Sequence, residues 1–175
     1  EAHILEKLDK RFKDSGVREI IVLCPNCYAF FEGRLSVKVS SIDEKLAELG
    51  LGQPVEGVVR IFPPCPDRER GALLSHIKPF LMEQPEILSD SQCCGLGGCG
   101  CVREPVLEAE MAGHYAGTGG TICTYCGSCS GNLARGGHRD TEHLLVKILG
   151  RAERADTKRS LLNRIKTKYR KEKRV

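Results

Sequence analysis

The sequence predicts an α/β fold: a small parallel sheet flanked by helices, with cysteine-bearing loops at the carboxyl ends of the strands. Three observations predict it. Short apolar runs alternate along the chain with stretches of helical periodicity. The clearest runs are continuously apolar, the pattern of strands covered on both faces in a parallel sheet. Several of them stop on cysteine, at the strand ends where α/β proteins bind their ligands.

Taken in order, Leu5, Leu8 and Phe12 recur at helical spacing, so residues 3–14 read as an amphipathic helix ending before Gly16. Ile20-Ile21-Val22-Leu23 reads as a strand buried on both faces, stopped by Cys24-Pro25-Asn26-Cys27. Ser41 with Glu44 three residues later has the form of a capping box, and Gly50 closes that helix at about Leu49. Val58-Val59-Arg60-Ile61-Phe62 is the next strand, ended by Pro63-Pro64-Cys65-Pro66. Residues 70–83 are helical in pattern, with Pro79 expected to kink or end the run. The stretch from Cys93 to Cys101 holds Gly95, Gly97, Gly98 and Gly100 and is expected to be loop. Pro105 opens a helix with Val106, Leu107, Met111 and Tyr115 as its expected apolar face. Thr121-Ile122 is a short strand feeding Cys123-Thr124-Tyr125-Cys126. Asp140 is the expected N-cap of a helix carrying Leu144, Leu145 and Ile148. The alternation of strand, cysteine and helix is Rossmann-like.

Composition narrows the function. The 175 residues suit one domain, or one domain with a tail. No apolar run approaches the roughly 20 residues of a membrane-spanning helix. The absence of Trp and an aromatic share of 5% argue against a stacking groove for sugars or single-stranded nucleic acid. Charge is split along the chain. From Arg151 onward there are 11 Lys/Arg against 3 Asp/Glu, net +8, whereas the first 150 residues hold 16 against 20, net −4. No nucleophile elbow or phosphate-binding Lys-Ser/Thr pair is present. His3 and His76 read as surface residues, and His114 and His143 as helix-packing residues rather than ligands.

The ten cysteines carry the chemistry. No signal-peptide pattern precedes them, and clustered thiols in a reducing cytoplasm usually serve metals or redox chemistry. Cys65, Cys93, Cys94, Cys123 and Cys126 form the candidate ligand set. Neighbouring Cα atoms lie about 3.8 Å apart, short of the roughly 4.4–6.8 Å of a routine disulfide, so the vicinal pair Cys93-Cys94 suits a metal or a pair of thiols. Cys24-x-x-Cys27 and Cys123-x-x-Cys126 are too far apart in sequence for an ordinary zinc ribbon. Adjacent thiolates can each hold a separate iron of a multi-iron cluster, and flanking glycines let backbone amides approach the sulfurs.

These residues resemble the cysteine-rich CCG domain found in heterodisulfide-reductase-B-like proteins and in related iron–sulfur oxidoreductase subunits. That pattern is a Cys, a spacer, Cys-Cys-Gly, a second spacer and Cys-x-x-Cys. Cys65, Cys93-Cys94-Gly95, Cys123 and Cys126 match it in order. Phe62-Pro63-Pro64-Cys65-Pro66 stands where family members usually have a His-Asp-Pro-Cys-His-like stretch. The resemblance implies a [4Fe-4S] cluster, noncubane in type, or zinc in some copies, held by the five matched cysteines. It also implies redox partners, either a flavoprotein or another iron–sulfur subunit, and delivery of electrons to a disulfide, a quinone or another carrier. Family members usually carry two copies. Residues 1–38 then read as the tail of a preceding copy, with Cys24 and Cys27 the remnant of its metal site. Residues 39–150 read as the complete domain, and 151–175 as a basic helical tail. Cys99, Cys101 and Cys129 are extra thiols that the pattern does not require. The alternatives are a zinc-stabilised interaction module and a metal-free thiol–disulfide exchanger.

The tail places Leu161, Leu162, Ile165 and Tyr169 on one helical stripe among Lys and Arg residues. The expectation is a helix packing that stripe on the body. Docking to a partner subunit or to an anionic membrane surface is the sharper alternative, and nucleic acid is not an expected partner.

Overall fold

The computed structural model describes residues 2–90 and 93–169. The fold is α/β, with small parallel sheets flanked by helices. The first unit runs α1 (Ala2–Asp14), β1 (Glu19–Val22), α2 (Pro25–Phe31), β2 (Lys38–Ser41) and α3 (Ile42–Glu48). β1 and β2 pair in parallel, with Ile20 opposite Val39. The boundary expected at residues 38/39 therefore falls inside β2. The capping signal is met: Ser41 Oγ accepts from the Glu44 amide at 3.0 Å, and Gly50 takes the left-handed turn after α3 with φ +64°.

The expected two-sided burial of β1 is not what the structure has. Ile21 is 46% exposed and Leu23 60%, because β1 belongs to a two-stranded sheet. An ion-pair lattice closes its edge, with Lys45 Nζ 2.9 Å from Glu19 and Lys38 Nζ 2.9 Å from Glu48.

The second sheet has the order β4-β3-β5-β6, all parallel. Its elements are β3 (Arg60–Ile61), α4 (Ala72–Ile77), β4 (Glu86–Ile87), α5 (Gly100–Arg103), α6 (Pro105–Gly113), β5 (Ile122–Thr124), α7 (Gly127–Arg135), β6 (Thr141–His143) and α8 (Leu144–Ile148). Pro79 acts as expected: α4 ends at Ile77 and a 3-10 turn, Lys78–Phe80, follows. Strand alternation splits the apolar side chains into two cores. Ile61, Cys123 and Ile148 pack in one, and Phe62, Ile122 and Leu133 in the other. Ile61, Phe62 and Ile122 are fully buried, each stabilising the fold by about 1.5–3 kcal/mol relative to exposure.

The chain leaves β3 for β4 on one side, then returns past β3 to β5 on the other. The carboxyl ends of β3 and β5 therefore flank a topological switch point, where open α/β sheets form their ligand crevice.

Four local expectations are corrected. The glycine-rich stretch is not simple loop. Gly98 at φ +62° and Cys99 at φ +67° turn the chain so that Gly97–Cys99 forms a 3-10 turn and α5 follows directly. The face expected of α6 is met in part: Tyr115, just past its end, is buried as expected, but Val106 is 72% and Leu107 47% exposed and Ala112 is buried instead. Asp140 is not a cap: it accepts from Thr121 Oγ1 at 3.0 Å, and His143 caps α8, its Nδ1 accepting from the Leu145 amide at 3.2 Å. Burial lowers the His143 pKa, which keeps the ring neutral and able to accept. Finally, α9 (Thr157–Lys168) forms, but its apolar stripe does not pack on the body. Leu161, Leu162, Ile165 and Tyr169 are all exposed. The basic residues expected at 170, 171, 173 and 174 lie outside the described residues. Among the described residues, no helix is long and apolar enough to cross a membrane.

Candidate functional site

Three adjacent strands each deliver thiols to the same rim. β3 runs into Pro63-Pro64-Cys65, β4 leads through Leu88 to Cys93-Cys94, and β5 runs through Tyr125 to Cys126 at the start of α7. Cys65 interacts with Cys93, Cys94 and Cys126. Cys94 and Cys126 both interact with Cys129, one turn into α7. Five sulfurs from three strand ends and one helix thus converge: Cys65, Cys93, Cys94, Cys126 and Cys129. The first four belong to the set expected from the sequence.

Cys123 is not among them. It lies on β5 and points into the opposite core, beside Ile61, Leu144 and Ile148, and is 2% exposed. The groups that act on it are Lys147, Glu142 and Asp140, and burial pushes its thiol up to about 11. The period-2 alternation of a strand excludes it, since Ile122 faces the thiol side and Cys123 cannot. Cys129 takes its place in the group. A signal for it exists, because Cys126-Gly127-Ser128-Cys129 is itself a Cys-x-x-Cys spanning the first turn of a helix.

The electrostatics of the group are uneven. Cys126 is lowered to about 6, first by the Cys129 thiol, with the amides of Cys129 and Ser128 adding to it against burial. Cys94 is lowered to about 7, again first by Cys129. Cys129 is raised well above the thiol range by those same two neighbours and by burial. Its single proton lies between two sulfurs that both favour the thiolate. Cys65 is raised, first by partial burial and then by the nearby charge of Cys93 and Cys94. The Gly95 amide donates to Cys93 Sγ at 3.3 Å.

The surrounding frame holds the loops that carry these thiols. Asn132, fully buried on α7, donates from Nδ2 to the Cys94 carbonyl at 2.6 Å and to Glu108 Oε1 at 2.7 Å. Gly95 sits at φ +85° with its missing Cβ only 2.8 Å from the Glu108 carbonyl oxygen, so the vicinal loop packs backbone to backbone on α6. Arg68 lies over the Phe62 ring at 5.1 Å and donates to Pro63 O at 3.0 Å and Leu88 O at 3.3 Å, joining the ends of β3 and β4. Tyr125 donates from its hydroxyl to Asp67 Oδ2 at 2.9 Å, fixing the end of β5. Asp90 accepts from the Tyr115 hydroxyl and contacts His114 Nε2 at 3.1 Å, anchoring the approach to the vicinal pair.

The remaining thiols stand elsewhere. Cys24 and Cys27 are exposed at the end of β1 and contact each other. Cys99 and Cys101 are exposed around the start of α5. A cleft of about 1520 Å³ lies away from all of these, between α9 and the Ala134–Arg139 region.

Among the described residues, all ten cysteines are thiols, and no group of three or more His, Cys, Asp or Glu side chains is arranged to hold a metal ion. A single tetrahedral zinc at Zn–S distances of about 2.3 Å requires sulfurs roughly 3.8 Å apart. A multi-iron cluster is held by sulfurs spread over several metal atoms. The converging donor set is entirely thiol, the soft class that iron–sulfur chemistry selects, and in donor chemistry it fits such a cluster. Comparison with family models, with curated proteins and with solved structures finds no match for this chain.

Proposed function

We propose that this chain is an iron–sulfur oxidoreductase subunit of the CCG type, in which Cys65, Cys93, Cys94, Cys126 and Cys129 hold a [4Fe-4S] cluster of noncubane form. One observation carries the reading: thiols remote in sequence meet at the switch point of a parallel sheet. When bound, such a cluster supplies one-electron transfer between redox partners. A flavoprotein or another iron–sulfur subunit would donate the electrons, and a disulfide, a quinone or another carrier would accept them.

The protein's own share is ligation and tuning. Cys94 and Cys126 already favour the thiolate, the form that binds metal. The Cys65 and Cys129 thiols, both raised, lose their protons as the set is loaded, which makes loading release acid. The amide of Gly95 at Cys93, and those of Ser128 and Cys129 at Cys126, are placed to stabilise negative charge on sulfur and so raise the reduction potential. Asn132, Arg68 and Tyr125 hold the three strand-end segments in register.

The test is metal and sulfide analysis of the chain purified without oxygen. A brown protein with equal amounts of iron and acid-labile sulfide is expected. Zinc without sulfide would favour the interaction-module reading, and a metal-free dithiol would favour exchange chemistry; either result would overturn the cluster assignment.

A further inference from the structure

Outside the five-thiol group stands a second, separate pair of sulfurs. Cys24 caps α2 in extended conformation, φ −91° and ψ 123°; Pro25 is the first helical residue and Cys27 lies two residues further on. One turn of helix separates the two Cα atoms by about 5 Å, inside the roughly 4.4–6.8 Å window of an unstrained disulfide. The Tyr28 amide bonds back to the Cys24 carbonyl at 2.9 Å, and the Pro25 ring locks its own φ, so this turn is rigid. Both cysteines are exposed, and Leu23 beside them is 60% exposed, giving an apolar lip next to an open sulfur. Two sulfurs supply only half of a tetrahedral zinc site, but they are the complete equipment for two-electron thiol chemistry.

We propose that Cys24 and Cys27 form a redox-active dithiol that reduces solvent-accessible disulfides, with Cys24 as the attacking sulfur and Cys27 as the resolving one. The Cys24 thiolate attacks one sulfur of R–S–S–R′, forming the Cys24–S–S–R bond and expelling R′–S⁻, which takes a proton from water. Cys27 then loses its proton and attacks Cys24 Sγ, closing the Cys24–Cys27 disulfide and expelling R–S⁻. Two electrons pass from the dithiol to the substrate, and no further reactant is consumed. The order of attack follows from position, because Cys24 stands outside the helix beside the exposed Leu23 whereas Cys27 lies within its first turn. Partial burial and the neighbouring Cys24 sulfur raise the Cys27 thiol, which keeps it protonated until the mixed disulfide has formed. The inference stands whether or not the five-thiol group holds a cluster.

Trypsin isolates this pair. Cleavage after Arg18 and Arg34 releases a peptide of residues 19–34 in which Cys24 and Cys27 are the two cysteines. The full chain is equilibrated in glutathione buffers of graded ratio, quenched in acid, alkylated and mapped by mass spectrometry. The expected result is a reversible loss of two hydrogens from that peptide as oxidised glutathione rises. Cys27→Ser is expected to trap glutathione on residue 24. With dithiothreitol as reductant, the chain should accelerate reduction of oxidised glutathione or of insulin disulfides. Turnover of either probe supports the proposal, the first marking a small-molecule substrate and the second a protein substrate. Cys24→Ser should slow that turnover roughly tenfold or more. A peptide that stays reduced at every ratio, turnover of neither probe, or full turnover by Cys24→Ser would overturn it. Iron and sulfide content of Cys24→Ser, expected to equal that of the unaltered chain, separates this outcome from failure of the cluster assignment.

Discussion

Asn132 and Cys94 lie 38 residues apart in sequence, and the fully buried Asn132 side chain donates to the Cys94 carbonyl at 2.6 Å. The same amide reaches Glu108 Oε1, which Arg135 also approaches at 3.4 Å. One side chain therefore ties the vicinal cysteines, α6 and α7 together. Asn132→Ala leaves a carbonyl without its donor in a buried site. It should lower stability by about 1–3 kcal/mol. Thermal unfolding of the two chains checks this. Asn132→Asp should be at least as costly, since it also brings a second carboxylate next to Glu108; a variant as stable as the parent would show that the frame does not depend on this bond.

Much of this architecture is legible in the sequence, and what is not legible has physical causes. Pro79, Gly50 and the Ser41–Glu44 pair act locally, so their signals survive folding. The parallel sheet follows from apolar runs that end on cysteine. The burial of β1 does not, because the number of strands beside Ile21 is a tertiary fact. Cys123 is misleading for a similar reason: both overlapping Cys-x-x-Cys readings are equal in sequence, and only the direction of β5 side chains separates them. β2 and β6 escape a reading by apolar runs because these short strands carry Lys38, Ser40, Thr141 and Glu142.

The glycines near the thiols divide into two kinds. Gly95 has φ +85° and its Cβ would meet the Glu108 carbonyl oxygen at 2.8 Å, whereas a Cβ at Gly97 would meet nothing within 4 Å among the described residues. Gly136 is tighter still, since a Cβ there would overlap the Ala112 carbonyl group. Gly95→Ala and Gly136→Ala should each destabilise by about 1–3 kcal/mol or more. Gly97→Ala should be close to neutral. Denaturant midpoints for the three variants test the ranking, and a costly Gly97→Ala would contradict the open geometry at that position.

Asp43 gives the fold a pH signature. Its carboxyl is buried, Oδ1 has no hydrogen-bond partner among the described residues, and burial raises its pKa to about 6 against an opposing pull from His76. A folded-state value above the unfolded one stabilises the protonated form. The benefit is complete below the unfolded value of about 4 and is lost as pH rises through about 6. The swing is at most about 3 kcal/mol, since a tenfold change in proton affinity is worth about 1.4 kcal/mol. Asp43→Asn removes the titrating group, so stability relative to the parent should rise between pH 4 and 7. Unfolding free energies at pH 4.5 and 7 decide it; a difference that is the same at both would remove Asp43 as the source.

The sharpest separation of the two Cys-x-x-Cys readings lies between Cys123 and Cys129. Cys123 packs against Ile61, Leu144 and Ile148 on the side of the sheet away from the other thiols, while Cys129 touches both Cys94 and Cys126. Cys123→Ala removes one buried sulfur and should cost roughly 1–2 kcal/mol, yet leave iron and sulfide per folded chain unchanged. Cys129→Ser keeps the volume nearly constant but withdraws a thiolate ligand. It should lose most of the bound iron while the body of the fold remains, as read by circular dichroism and metal analysis of anaerobically prepared chains. The Cys129 thiol also lowers its two neighbours by hydrogen bonding, so Cys129→Ala, which removes the donor, should in addition slow their alkylation near neutral pH. The opposite pattern, with iron lost from Cys123→Ala and kept by Cys129→Ser, would return Cys123 to the ligand set and require β5 to present its other face.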